Sequence, residues 1–225
     1  MLENLIDKSN KPLSIEQFKK ILQLNESLII LDTRPATDFT KEFIPSSISI
    51  GFEGRFSEWA ASLLSTQKSI VLISEIGTEL EVVKQLVHAG FQKIEGFLKG
   101  GFNTWKNADE KIDMIIDVES DELVMDIPFD SNIVIIDVRR KIEFADGHLE
   151  KAINIPLSEI TDPASIANFE DHENLYIHCA KGYRSVIAAS ILKHHGYHNI
   201  RNVLGGWDKI KEEKIKIIKE TAALN

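Results

Sequence analysis

The chain contains a single cysteine, Cys179, set in the run His178-Cys179-Ala180-Lys181-Gly182-Tyr183-Arg184-Ser185. A thiol followed closely by Lys181, Gly182 and Arg184 is suited to nucleophilic attack on an anion. A short loop leading into a helix turns successive backbone N–H groups toward one point, at the positive end of the helix dipole. Gly182 allows the tight backbone path, and Lys181 and Arg184 put positive charge on the rim. Amide hydrogens gathered around a sulfur favour the thiolate, which is the reactive form, without a separate base. A free cysteine is more commonly a small buried hydrophobe. Here a strand end, a glycine, two cations and a helix start all fall on it. Cys179 is therefore the candidate nucleophile and Ala180, Lys181, Gly182, Tyr183, Arg184 and Ser185 the candidate substrate-binding residues. Tyr183 and Ser185 fit two roles, a hydroxyl aimed at the reacting atom or a helix start with Ser185 as its cap.

The elements around this loop follow from periodicity. NLYIHC ahead of it is a strand, and RSVIAASILKHHG behind it reads as an amphipathic helix. Around these lie a strand NIVIID, a short helix RKIEFADG, a short strand AINIP and a strand NIRNV before GGWDKIKEE. Short β-branched runs alternating with helical segments imply a parallel-stranded α/β domain. Ligands bind such sheets at the carboxyl ends of the strands, which is where Cys179 falls. The charged tail from residue 209 to 225 fits either a helix or a strand.

The pattern occurs twice. Asp32 in ESLIILDTR and Asp137 in SNIVIIDVR are 105 positions apart, and the same offset pairs Phe39 with Phe144, Ile48 with Ile153 and Ile50 with Ile155. It also pairs Gly77 with Gly182, Gly100 with Gly205 and Gly101 with Gly206. Such a register implies two copies of one domain, residues 1–110 and 111–225, joined near KNADEKIDMI. In the first copy Ser14-Ile15-Glu16-Gln17 forms a capping box that starts a helix carrying Phe18, Ile21 and Leu22.

Composition narrows the function classes. The net charge of −9 and pI near 5.3 oppose binding to nucleic acid, whose affinity rests on neutralising phosphates. No apolar run approaches ~20 residues, and the N-terminus lacks the charge and apolar core of a signal peptide. One cysteine cannot make an internal disulfide, so a reducing cytoplasm is the expected compartment. His178, adjacent to Cys179 on a strand, faces the opposite side and reads as a core or helix-facing residue. His194, His195 and His198 near a helix end offset its dipole rather than bind metal. Asp32, Arg34, Asp137 and Arg139 recur in both copies, which points to a structural charge network at the strand end. Trp59, Trp105 and Trp207 are expected to pack between elements.

The run IDVRRKIEFADGHLEKAINIP, then HCAKGYRS, then NVLGGW resembles the ordered motifs of a rhodanese (sulfurtransferase) domain, and the likeness extends over both copies from about Ser14 to Ile210. ISEIGTELEVVKQLVHAGF and FLKGGFNTWK are similar in particular to the tandem rhodanese portion of bacterial persulfide dioxygenase fusions of metallo-β-lactamase fold. The resemblance implies two rhodanese-like domains, each a mainly parallel sheet flanked by helices. It implies a sulfurtransferase carrying sulfane sulfur as a Cys179 persulfide, from a small anionic donor such as thiosulfate or a low-molecular-weight persulfide to a thiol or cyanide. A persulfide dioxygenase of metallo-β-lactamase fold is the implied partner. No HxHxDH cluster occurs among the seven histidines, so no metal or other cofactor is expected. At the positions of Cys179 and Arg184 the first copy carries Ser74 and Glu79, a weaker nucleophile and a repelling charge, so this copy is expected to be catalytically silent. Two alternatives remain: a non-catalytic binding or regulatory module, and a phosphatase or arsenate reductase. The Cys-x4-Arg spacing makes a loop smaller than the Cys-x5-Arg loop of those oxyanion enzymes.

Overall fold

In the computed structural model, which describes residues 2–25 and 27–220, the chain divides into two compact units at Met114 and Ile115. Strands β1 (Pro12–Leu13), β2 (Ile29–Asp32), β3 (Ile48–Ser49), β4 (Ile70–Ile73) and β5 (Ile94–Leu98) form the sheet of the first unit. Their order is β1-β5-β4-β2-β3, with every pairing parallel. Helices α1 (Leu2–Ser9), α2 (Ile15–Leu24), α3 (Ala36–Phe39), α4 (Phe56–Leu63), α5 (Glu79–His88) and α6 (Gly101–Asn107) connect and flank them. A parallel sheet covered on both faces needs strands that are apolar throughout, not alternating. IVLI meets that need throughout and IILD up to its last residue, Asp32, and all four residues of each are buried.

The second unit repeats the plan. Strands β6 (Ile116–Val118), β7 (Ile133–Asp137), β8 (His148–Leu149), β9 (Ala152–Asn154), β10 (Asn174–His178), β11 (Ile200–Val203) and β12 (Ile217–Ile218) alternate with helices. These are α7 (Ser120–Asp126), α8 (Lys141–Ala145), α9 (Pro163–Ile166), α10 (Tyr183–His194) and α11 (Gly206–Ile210). The parallel sheet runs β6-β11-β10-β7-β9, the same order as the first unit, so the 105-residue offset is also a topological correspondence. The protein is thus α/β, with two mainly parallel sheets flanked by helices. β12 pairs antiparallel with β8, so the ambiguous tail is a strand at Ile217–Ile218. Residues 221–225 of that tail lie outside the described residues.

Local signals act where the residues place them. Ser14 caps α2: its Oγ accepts the Gln17 amide, and Gln17 accepts the Ser14 amide at 2.9 Å. That anchors Phe18 against Trp105, edge to face at 5.9 Å between ring centroids. One expectation is corrected. α10 is not amphipathic: Ser185 through Leu192 are all buried. Small residues (Ser185, Ala188, Ala189, Ser190) make this acceptable, because they let neighbouring elements close on every side of the helix.

Candidate active site

β10 brings Cys179 to the carboxyl edge of the second sheet. Its last residue, His178, pairs in register with Asp137 of β7, and the chain then leaves the sheet. It turns through Gly182 (φ 110°, ψ −25°), a conformation that side-chain-bearing residues rarely adopt, and enters α10. The turn brings the Gly182 N–H back onto Cys179 Sγ at 3.1 Å. Ser185, one turn into the helix, has its Oγ 3.7 Å from the same sulfur. Gly182 is therefore the N-cap of α10, and Ser185 lies at the third helical position, with its Oγ 2.8 Å from the Gly182 carbonyl. The serine caps nothing; its hydroxyl lies beside the sulfur instead. Cys179 itself is only 2% exposed.

The rear of the loop is held by the second glycine pair. Trp207 donates its amide to the Cys179 carbonyl at 2.6 Å and Asp208 to the Ala180 carbonyl at 3.0 Å. A Cβ on Gly206 would stand 2.4 Å from that Cys179 carbonyl oxygen, so only glycine fits. The Arg139 guanidinium lies over the Trp207 ring at 4.3 Å and grips Asp137 at 2.6 and 3.0 Å. Asp137, Arg139, Trp207 and the glycine turn thus form one brace under the cysteine. The first domain repeats its outer part, with Arg34 on Asp32 and over Phe102 at 4.1 Å. This is the charge network expected at the strand end.

His178 is wholly buried, 3.8 Å from Asp137, and burial holds its imidazole below the usual pKa. Lys181 is exposed on the loop. Arg184 makes a two-pronged pair with Glu143 of α8 at 2.8 and 2.9 Å. That hydrogen bonding, aided by Arg140, holds the Glu143 carboxyl down to about 2 against the opposing effect of burial. Sequence reasoning missed Glu143, which lies 41 residues from its partner, and gave no role to Gly206 although the repeat marked it. Among the described residues no three His, Cys, Asp or Glu side chains gather as a metal site.

The corresponding loop of the first domain is filled differently. Ser74 accepts a hydrogen bond from Thr33 at 2.9 Å, where the second domain has Val138. The Gly77 amide, counterpart of the one that meets the sulfur, donates to the Glu79 carboxylate at 2.7 Å. A cavity of about 430 Å3 lies beside it, lined by Arg34, Ser74, Ile76, Gly101 and Phe102 among others.

The family model described as Rhodanese-like domain matches residues 14–108 and again 112–213. The chain belongs to the rhodanese-like domain family. Its rhodanese-like domains are similar to the thiosulfate sulfurtransferase PspE of Escherichia coli, 33% identical over 81 residues, which cover 36% of this chain and 77% of that protein. They are also similar to the tRNA uridine(34) hydroxylase of Leptospira interrogans, 33% identical over 82 residues, which cover 34% of this chain but 22% of that protein. Among solved structures, a rhodanese-related protein of Thermoplasma volcanium is 30% identical with a TM-score of 0.41, covering 47% of this chain and 99% of that one. Membership and the likeness to the thiosulfate sulfurtransferase PspE support sulfurtransferase activity in general terms. No helix among the described residues is long and apolar enough to cross a membrane.

Proposed function

We propose that this protein moves sulfane sulfur through a persulfide on Cys179, with the second domain catalytic and the first silent. The Cys179 thiolate attacks the outer sulfur of thiosulfate or of a small persulfide. A new S–S bond forms to Cys179 while the donor's S–S bond breaks, and its electron pair leaves with sulfite or a thiolate. Cyanide or a thiol then takes the terminal sulfur and restores the Cys179 thiolate, so no external oxidant or reductant is consumed. The observation that carries this reading is the Gly182 amide 3.1 Å from Sγ, a fixed donor aimed at the atom that bears charge in each step. The backbone of Ala180 through Ser185 forms the cradle, and exposed Lys181 draws in an anionic donor. Arg184, held by Glu143, lines its mouth. A persulfide dioxygenase of metallo-β-lactamase fold is the partner that the resemblance implies.

Mass spectrometry after thiosulfate treatment tests the reading: the Cys179 peptide should gain one sulfur atom. Cys179→Ser should lower thiocyanate formation by several orders of magnitude. Full activity in that variant would overturn the assignment. Vigorous phosphate-ester hydrolysis without sulfur uptake would favour the oxyanion chemistry instead.

A further inference from the structure

Ser185 Oγ carries one proton and has three acceptors around it: the Gly182 carbonyl at 2.8 Å, Asn202 Oδ1 at 2.6 Å and Cys179 Sγ at 3.7 Å. Asn202 decides where that proton goes. Its Nδ2 lies 2.7 Å from Asp117 Oδ1 on the neighbouring strand β6, and a carboxylate offers only acceptors. The amide must therefore show its NH2 to Asp117 and its carbonyl to Ser185. Ser185 and Asn202 are both buried, so each must satisfy its polar atoms internally. The corresponding positions in the first domain are Leu80, Phe97 and Pro12, whose side chains carry no polar atom, and Phe97 pairs with Pro12 as Asn202 does with Asp117. Of the two corresponding sites, the one beside the cysteine carries the polar chain.

We propose that Asn202, braced by Asp117, is a positioning residue that turns the Ser185 proton away from Cys179 and makes Ser185 an acceptor for the sulfur's own proton. The inference rests on the reading of Cys179 as the reacting thiol. In the resting protein the thiol donates to Ser185; once ionised, the sulfur keeps the Gly182 amide but gains no proton from the serine. Releasing the Ser185 proton should therefore make the sulfur more readily ionised: without the short 2.6 Å bond to Asn202, its remaining rival is the Gly182 carbonyl, which already accepts the Val186 amide and which a charged sulfur outcompetes.

The test is the rate of Cys179 alkylation by iodoacetamide between about pH 5 and 9, which brackets ordinary thiol ionisation from the acid side. Asn202→Leu should move the profile toward lower pH, with alkylation about fivefold faster at its acid end, the weight of one ordinary hydrogen bond. Asp117→Asn keeps the shape and lets the Asn202 amide turn, so it should move the profile the same way even if the leucine variant fails to fold. Both shifts should vanish when Ser185→Ala is added. Lys181, Arg184, Glu143, His178, the Asp137–Arg139 pair and Asp208, the charged and titratable groups on the elements around the loop, are unchanged in these variants. A profile that stays put, moves to higher pH, or still shifts without Ser185 overturns the proposal. Because no sulfur donor is used, failure of the native protein to take sulfur from thiosulfate would sink the proposed function and leave this outcome separately readable.

Discussion

The two domains share a sheet order, an Asp-x-Arg brace and a double-glycine turn, yet the same amide meets different groups. In the second domain the Gly182 N–H points at a sulfur; in the first the Gly77 N–H is taken by the Glu79 carboxylate. One backbone amide meets a thiol, and the other is taken by an anion of its own chain. The difference lies in a handful of side chains: Cys179 against Ser74, Val138 against Thr33, Arg184 against Glu79, Ser185 against Leu80. The fold turns a loop amide inward in both domains, whatever side chain meets it. On the proposed function, reactivity then turns on what occupies that loop.

The largest effect is expected at the shared glycine. Gly206→Ala drives a Cβ to 2.4 Å from the Cys179 carbonyl, and that backbone oxygen has no flexible end with which to yield. Sulfur transfer should fall by roughly a hundredfold as the loop shifts, since misplacement of about 1 Å has that effect. Gly101→Ala meets the Ser74 carbonyl at 2.8 Å and should lower thermal stability by about 1–3 kcal/mol while sulfur transfer persists. Parallel thermal melts and cyanide assays on the pair separate the two effects; equal loss of transfer in both variants would contradict the division of labour.

A smaller effect tests whether Glu79 silences the first domain independently of Ser74. In a Cys179→Ser background, Ser74→Cys alone should take up almost no sulfur, because the carboxylate holds the Gly77 amide and repels the donor. Adding Glu79→Arg should raise uptake by about tenfold, the fold-change of a modest charge-assisted hydrogen bond gained. Intact-protein mass spectrometry reads both, and equal uptake would mean that Glu79 is a bystander.

The smallest effect concerns the pair that exists on one side only. Glu143, held down to about 2 from its ordinary 4.5, stabilises the second domain fully above about pH 4.5. That contribution disappears as pH falls toward 2, because protonation releases Arg184. Glu143→Gln should cost about 1–3 kcal/mol at neutral pH and flatten the acid limb of the stability curve. Sulfur transfer should change only a few-fold. Denaturant melts across that pH range give the comparison, and an unchanged acid limb would place the stabilisation elsewhere.

Much of this was open to a reading of residues alone. Apolar β-branched runs such as IVLI mark strands that must be buried on both faces, and the repeated aspartates announce the duplicated plan. Ser14 with Gln17 states a helix start in four residues. The position of Cys179 between a strand and a glycine turn follows from the same local rules, because dihedral preferences and hydrophobic periodicity act over a few neighbours. Buriedness around α10 did not show, since its periodicity carries no record of how many elements close on it.

The chain's order of residues determined two α/β domains, a lone thiol at a strand edge, and a serine and a glutamate where the other copy has cysteine and arginine. Only the tertiary structure decided who meets whom: Glu143 with Arg184 across 41 positions, Asn202 with Asp117 across 85, Gly206 against the carbonyl of Cys179. Hydrogen bonds and close packing are settled by distance in space. Residues far apart in the chain become neighbours only once parallel strands have been laid side by side.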